Sequence, residues 1–127
     1  MGNHDYTRYG VKYREGRLVV PVSGTYMVYC FLDMYEPWNK TTNRPVQNCS
    51  DSIKLEVYKY NILDSNEIPL MKSQQPHQMS PNGHYNIYGS YISSIVKLRT
   101  GDEVYVKVSD IGYLQNPYIN YFGINMI

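Results

Sequence analysis

The 127-residue chain lacks most of what a membrane span, a nucleic-acid site or an active site needs. No apolar run approaches the roughly 20 residues that cross a bilayer as a helix. No segment has the pattern of a signal peptide, and Met1-Gly2 reads as an expression start, so residues 1–8 are set apart as a leading segment. Twelve Lys and Arg stand against eleven Asp and Glu, a net charge of +1. The two signs are interspersed, which leaves no basic stripe for a nucleic-acid partner. The three histidines, His4, His77 and His84, have no partner at metal-ligand or triad spacing. There is no Gly-rich phosphate loop, and Asp102-Glu103 sits on a turn, where acidic residues are ordinary. No enzyme, cofactor, metal ion or small-molecule substrate is expected.

What is present is strand, in two kinds. Ile53, Leu55 and Val57 alternate with Lys54, Glu56 and Tyr58, and Val104, Val106 and Val108 with Glu103, Tyr105 and Lys107. Successive strand side chains point to opposite faces, so these segments are walls with one wet side. The segment Gly24 to Leu32 differs. Tyr26, Val28, Cys30 and Leu32 point one way, and Met27, Tyr29 and Phe31 the other, so both faces are apolar. The closing segment Asn120 to Ile127 is nearly the same. An antiparallel strand greasy on both faces needs a second cover, and a chain this short has no helices to supply one. The expected cover is another copy of the chain, which points to binding rather than catalysis.

No helix-period segment of useful length occurs, and the length fits one two-layer domain. Strands are expected at Tyr9–Tyr13, Arg17–Val20, Thr25–Tyr35, Ser52–Tyr60, Ile68–Ser73, Tyr85–Leu98, Glu103–Ser109 and Asn120–Ile127. Residues 36–51 read as a polar loop holding Trp38, and Gln74 to Gly83 as a loop with two prolines. Arg99-Thr-Gly-Asp102 reads as a tight hairpin turn. Eight or nine strands with uneven connections suit a Greek-key or jelly-roll sandwich over residues 9–127.

Fifteen Tyr stand against two Phe and one Trp. Tyr joins an apolar ring to a polar tip and suits half-wet faces and interfaces, although it is also simply a good strand former. Asn39-Lys-Thr41 and Asn48-Cys-Ser50 both fit the N-glycosylation triplet, which points to a secretory route. Cys30 and Cys49 fit an oxidising compartment without proving one. Cys30 is expected to face the core, with Cys49 just ahead of the next strand. A Cys30–Cys49 disulfide is geometrically possible; the alternative is one buried thiol and one exposed thiol.

Four segments together resemble the tumour necrosis factor ligand superfamily. Gly16-Arg-Leu-Val-Val-Pro-Val-Ser-Gly-Thr-Tyr-Met-Val-Tyr29 looks like the entry into its central strand, with "L-x-V-P" followed by "G-x-Y-x-(V/I)-Y". Val57-Tyr-Lys-Tyr60 with Ile68-Pro-Leu-Met-Lys-Ser73 is similar to the middle strands of the death-ligand branch. Tyr85 to Val108, with Leu98-x-x-Gly-Asp102, resembles the family's long hairpin, and Tyr121-Phe-Gly-Ile124 its closing "(Y/F)-F-G" strand. The resemblance runs from about Tyr9 to Ile127. It implies an all-β, two-sheet antiparallel jelly-roll that forms a homotrimer and engages cysteine-rich receptors along the grooves between protomers. It further implies an extracellular ligand, either a type II membrane protein or a secreted or shed form, acting in immune signalling or apoptosis.

By resemblance and by strand parity, Met27, Tyr29, Phe31, Tyr91, Tyr121 and Ile127 face the trimer axis, with small Ser93 allowing close approach there. Ile62 and Leu63, in the turn Asn61 to Asn66, are the leading receptor contacts, because two aliphatics at an exposed turn are poorly placed for solubility. A family Tyr that anchors the receptor falls near Leu63. Tyr113 and Leu114 are weaker candidates, as are Tyr35 and Trp38, the last beside a sequon whose sugar would shield it.

The chain also departs from the pattern. Little of the family's leading strand, which pairs beside the last one, fits before Tyr6. Cys49 matches the first partner of a family disulfide, but the later loop has no Cys. One death ligand binds zinc on the trimer axis through a Cys in that loop. The equivalent here is Gln78, so no zinc is expected, and neighbouring His77 reads as an exposed bystander. A complement-type globular head, a related trimeric jelly-roll that recognises surface patterns, is the competing reading, and a capsid jelly-roll the third.

Overall fold

Strand β3, Gly24–Asn39, organises the molecule, and its burial alternates residue by residue from Tyr26 to Trp38. The computed structural model describes residues 12–14, 16–46, 52–109 and 121–127. They form β1 (Lys12–Arg14), β2 (Arg17–Val19), β3, β4 (Arg44–Pro45), β5 (Ser52–Asn61), β6 (Asn66–Pro76), β7 (Tyr85–Leu98), β8 (Glu103–Val108) and β9 (Tyr121–Met126). No helix occurs among the described residues, so none there is long and apolar enough to cross a membrane.

One sheet has the order β1-β2-β8-β5-β6. In the other, β3 pairs with β7 on one side and with β9 and the short β4 on the opposite side. Every pairing is antiparallel. The fold is an all-β sandwich of two antiparallel sheets, as expected. The core lies between them. Tyr26, Val28, Cys30, Leu32 and Met34 of β3, with Phe122 and Ile124 of β9, meet Leu18, Ile53, Leu55, Val57 and Val104 of the facing sheet.

Two strands run on past their expected ends, each for a local reason. β3 runs past Tyr35 to Asn39, because Trp38 pairs with Pro45 and its indole Nε1 donates to Asn43 Oδ1 at 3.3 Å. Trp38 is therefore a buried strand residue, 8% exposed, and not an exposed loop contact. β6 runs on to Pro76 because Gln75 and Pro76 stay in register with Ile53 and Ser52. It also carries Pro69 at a register shift, which it tolerates as the edge strand of its sheet. The first strand is described only from Lys12 to Arg14, and residues 1–11 lie outside the described residues.

The wet face of the five-stranded sheet also differs at one point. Tyr105 points outward in the alternation, yet it is only 7% exposed. The Arg17 guanidinium lies 4.2 Å from its ring centre, and Tyr58 stacks beside it with ring centres 6.0 Å apart. Its hydroxyl donates to Glu67, whose other oxygen accepts from Lys107 at 2.7 Å. Burial first, and the Glu67 carboxylate second, push the Tyr105 phenol up. Alternation alone does not anticipate cover supplied by long neighbouring side chains.

A candidate assembly face and an exposed apolar turn

The β3–β7 and β3–β9 registers align the outward side chains in rows. Met27 lies between Ile95 and Asn125, Tyr29 between Ser93 and Gly123, and Phe31 between Tyr91 and Tyr121. Further along, Tyr35 lies opposite Ile87 and Pro37 opposite Tyr85. Phe31 stacks on Tyr121 with ring centres 5.3 Å apart, and Tyr35 on Tyr85 at 5.4 Å. Tyr91 is 59% exposed and Ile95 66%. Ser93 is exposed, and so is Ile127, whose backbone N–H donates to Thr25 O at 2.9 Å. Every residue expected on the axis face lies on this outer face. Ile87 and Ile95 belong to it too, although only their even spacing from Tyr91 marks them in the sequence. Tyr35, expected as a weak receptor contact, lies on the same strand face, stacked on Tyr85.

The turn 62–65 joins β5 to β6 at the end of the sandwich. Ile62 is 74% exposed and Leu63 85%, so neither folds back onto the sheet. The turn is built on Asn61, whose carbonyl accepts from the N–H groups of Asp64 and Ser65 at 3.0 Å each. Its side-chain oxygen accepts from Leu63 N–H, also at 3.0 Å. This is a side-chain-closed turn of the kind Asn forms readily. Ser65 takes a left-handed φ of 55° to close it.

A buried polar cluster lies near the far end of β3. The Glu36 carboxylate, fully enclosed, accepts from Tyr88 OH at 2.8 Å and Asn86 Nδ2 at 3.1 Å, and His77 Nδ1 lies 2.7 Å from its other oxygen. Tyr88 OH in turn accepts from Gln78 N–H at 3.0 Å, and Asn86 Nδ2 also donates to Gln78 O at 2.7 Å. His77 is thus not an exposed bystander: it is largely covered and packs edge-on against Tyr88. Burial is the main cause pushing the Tyr88 phenol up to about 12. No group of three His, Cys, Asp or Glu side chains gathers as a metal site among the described residues.

Cys30 is a fully buried free thiol, so no bridge runs from it to Cys49, which lies outside the described residues. Cys30 lies in the core between the sheets, with Ile92 and Phe122 as its register neighbours on β7 and β9. Asn39 is exposed at the end of β3, and its side-chain oxygen accepts from Thr41 N–H at 2.9 Å. Asn48, Tyr113 and Leu114 lie outside the described residues.

A two-sheet sandwich with this strand order and an apolar outer face on its β3 sheet is what the sequence motifs lead one to expect. The family model described as the TNF (Tumour Necrosis Factor) family matches residues 2–127. The chain belongs to the Tumour Necrosis Factor family. Among curated relatives it is similar to Tumor necrosis factor ligand superfamily member 6 of Mus musculus, 26% identical over 105 residues, which cover 83% of this chain and 34% of the relative. The proteins of that name from Macaca nemestrina and Macaca fascicularis are each 28% identical over 102 residues, covering 80% of this chain and 33% of the relative. The chain thus spans about a third of the length of these relatives.

Within this TNF-family frame, the Glu36 cluster is the feature that sequence reading misses. A lone Glu following Tyr35 looks like the start of a polar loop. Its place in the apolar alternation, two residues after Met34 and two before Trp38, is the available signal.

Proposed function

We propose that this chain is the ligand domain of an extracellular cytokine, displayed as a type II membrane protein or released in a shed or secreted form. It assembles as a homotrimer and binds cysteine-rich receptors of the TNF-receptor type. One observation carries the reading: the outer face of the β7–β3–β9 sheet gathers Ile95, Met27, Tyr29, Tyr91, Phe31 and Tyr121 in three consecutive rows, broken only by Asn125, Ser93 and Gly123, with Tyr91 and Ile95 well exposed. Apolar patches of this extent on a small domain mark contact surfaces. Covering it with two copies of the chain removes apolar surface worth roughly 25 cal/mol per Å², offset in part by the cost of association.

Met27, Tyr29, Phe31, Tyr91, Ser93, Tyr121 and Ile127 form the axis face, and Ile62 and Leu63 meet the receptor, together with Tyr113 and Leu114. Membership of the TNF family and the exposed sequon at Asn39 support an extracellular route, with sugar on Asn39 and Asn48. The mechanism is geometric. A trimer offers three equivalent grooves, and clustering receptors raises the effective concentration of their tails.

Light scattering behind a sizing column tests the assembly. The expected mass for the wild type is three times 14.8 kDa. Tyr29→Asp or Tyr91→Asp places a charge on the face and is expected to give monomers. A wild type that remains monomeric would overturn the assembly reading. Binding to immobilised cysteine-rich ectodomains tests the receptor reading, with Leu63→Asp expected to abolish it at unchanged mass.

A further inference from the structure

The turn that carries Ile62 and Leu63 does not stand alone. Asn61, itself buried, uses both ends of its side-chain amide. The oxygen closes the turn through Leu63 N–H, while Nδ2 donates to Asp102 Oδ1 at 2.9 Å and approaches Thr100 O at 3.5 Å. Asp102 is fully buried in the hairpin between β7 and β8. Its second carboxylate oxygen accepts from Arg99 N–H at 2.8 Å, and its own carbonyl accepts from Val20 N–H at 2.9 Å. The turn 62–65 and the 99–102 hairpin are therefore joined through one carboxylate and one amide, and the Asp102 backbone carbonyl ties in Val20, just past β2. A second strut runs outside them, where the Arg99 guanidinium pairs with Asp64.

A buried carboxylate needs donors, and a buried amide needs partners on both sides. The Asn61–Asp102 pair fixes the Asn61 amide, and the amide oxygen finds its partner, Leu63 N–H, in the present conformation of the turn. We propose that Asn61 and Asp102 are positioning residues: they hold the Ile62–Leu63 tip in one conformation and so set how quickly it engages a receptor. This rests on the reading that the tip contacts a cysteine-rich ectodomain. Neither residue touches the receptor, because both are buried. A tip already fixed in its binding conformation avoids the ordering cost that a loose tip meets on contact.

The polarity of the pair supplies the test. Asn61→Asp sets two carboxylates face to face. Asp102→Asn keeps the oxygen that accepts from Arg99 N–H but sets two amide NH2 groups face to face. The exchange of both, Asn61→Asp with Asp102→Asn, restores every strong bond in reverse. The carboxylate introduced at position 61 would accept from Leu63 N–H and from the amide introduced at position 102, whose oxygen accepts from Arg99 N–H. The four proteins form a double-mutant cycle. They are compared as full chains by hydrogen exchange at the Leu63 amide, by sizing mass, and by association and dissociation rates on a panel of immobilised cysteine-rich TNF-receptor-type ectodomains.

Each single variant is expected to keep its mass, to exchange the Leu63 amide about tenfold faster and to associate about tenfold more slowly, a change set by the loss of one buried polar pair. The double variant is expected to return to within about threefold of wild type on both readouts. Single variants that loosen the Leu63 amide yet associate like wild type would overturn the proposal, and so would a double variant that fails to recover. If the single variants do not fold, the double variant decides: it must fold, protect Leu63 and bind like wild type, or the proposal falls. A wild type that binds no ectodomain on the panel overturns the receptor reading itself, and with it the rate-setting role. Wild-type binding that the single variants retain overturns only the positioning role.

Discussion

Tyr29 lies directly across Gly123. A Cβ built on Gly123 would overlap the Tyr29 hydroxyl and stand 2.5 Å from ring carbon Cζ, a separation that real side chains do not tolerate. The two residues are register partners on β3 and β9, with Ser93 on the other flank of Tyr29. The absence of a side chain on β9 is what lets the tyrosine ring lie down along the sheet instead of standing up from it. Here glycine contributes space, not backbone freedom.

Gly123→Ala should therefore disturb the proposed assembly more than folding. The clashing atoms are the far end of a rotatable side chain, so the ring can swing away and the sandwich survive. The lifted ring would then obstruct the close approach of a neighbouring copy. The variant is expected to keep its far-ultraviolet spectrum and to dissociate at about tenfold higher protein concentration than wild type in a dilution series. An unchanged dissociation midpoint would show that the Tyr29 ring orientation plays no part in assembly.

Glu36→Ala should be costly in a different way. It removes the acceptor that Tyr88 OH, Asn86 Nδ2 and His77 Nδ1 share; Asn86 Nδ2 keeps Gln78 O, but the Tyr88 hydroxyl loses its carboxylate partner in a buried site. The expected loss is roughly 3 kcal/mol, against about 1 kcal/mol for Glu36→Gln, which keeps an oxygen facing Tyr88 and Asn86. Thermal melts at matched protein concentration measure the difference. A Glu36→Ala melting temperature equal to that of Glu36→Gln would mean the carboxylate does not organise the cluster.

The contrast between Tyr29 and Glu36 shows what is legible in the sequence. Both lie on β3, and period-two alternation places both faces of that strand correctly from Tyr26 to Leu32. It does so because apolar side chains report their face directly. Alternation stops being readable at Glu36 and Pro37, where a charge and an imide look like the end of a strand. The charge is accommodated by donors from β7 and from the segment after β6, partners distant in sequence. His77 is misread for the same reason. Tyr105 fails similarly, its cover coming from Arg17 on β2 and Tyr58 on β5. By contrast, Ile62 and Leu63 are readable, because an exposed aliphatic pair between two strands needs no distant partner to betray it. The coupling of Asn61 to Asp102 is not, since nothing in the chain order joins those two turns.

Tyr88 offers a pH signature of the Glu36 cluster. Burial is the main cause that holds its phenol protonated up to about 12, with the Glu36 carboxylate adding to the effect and the Gln78 backbone donor opposing it. The folded state binds this proton more tightly than an unfolded chain, whose tyrosines ionise near the ordinary value of 10.0. The stabilising contribution is therefore complete below pH 10 and declines as pH rises from 10 towards 12. The phenolate absorbance of wild type minus that of Tyr88→Phe isolates this group. One phenol ionising near 12 is expected, and ionisation near 10 in the folded protein would contradict the enclosed geometry.

Cys30 marks the boundary between the core and the outer aromatic face, because its strand neighbours Tyr29 and Phe31 point outward while its own thiol points in. Burial pushes that thiol up to about 12, and no solvent reaches it. At pH 8 it is therefore both protonated and inaccessible, and a thiol reagent should modify it only when the sandwich opens. Peptide mapping after labelling distinguishes Cys30 from Cys49. In wild type, Cys30 should label at the rate of global unfolding and fully in denaturant. The same protection should persist in Tyr29→Asp, since Cys30 is already fully buried within one chain. Rapid Cys30 labelling in that variant, with wild type protected, would mean that the outer face and the core fold as one unit and that assembly is needed to close the sandwich.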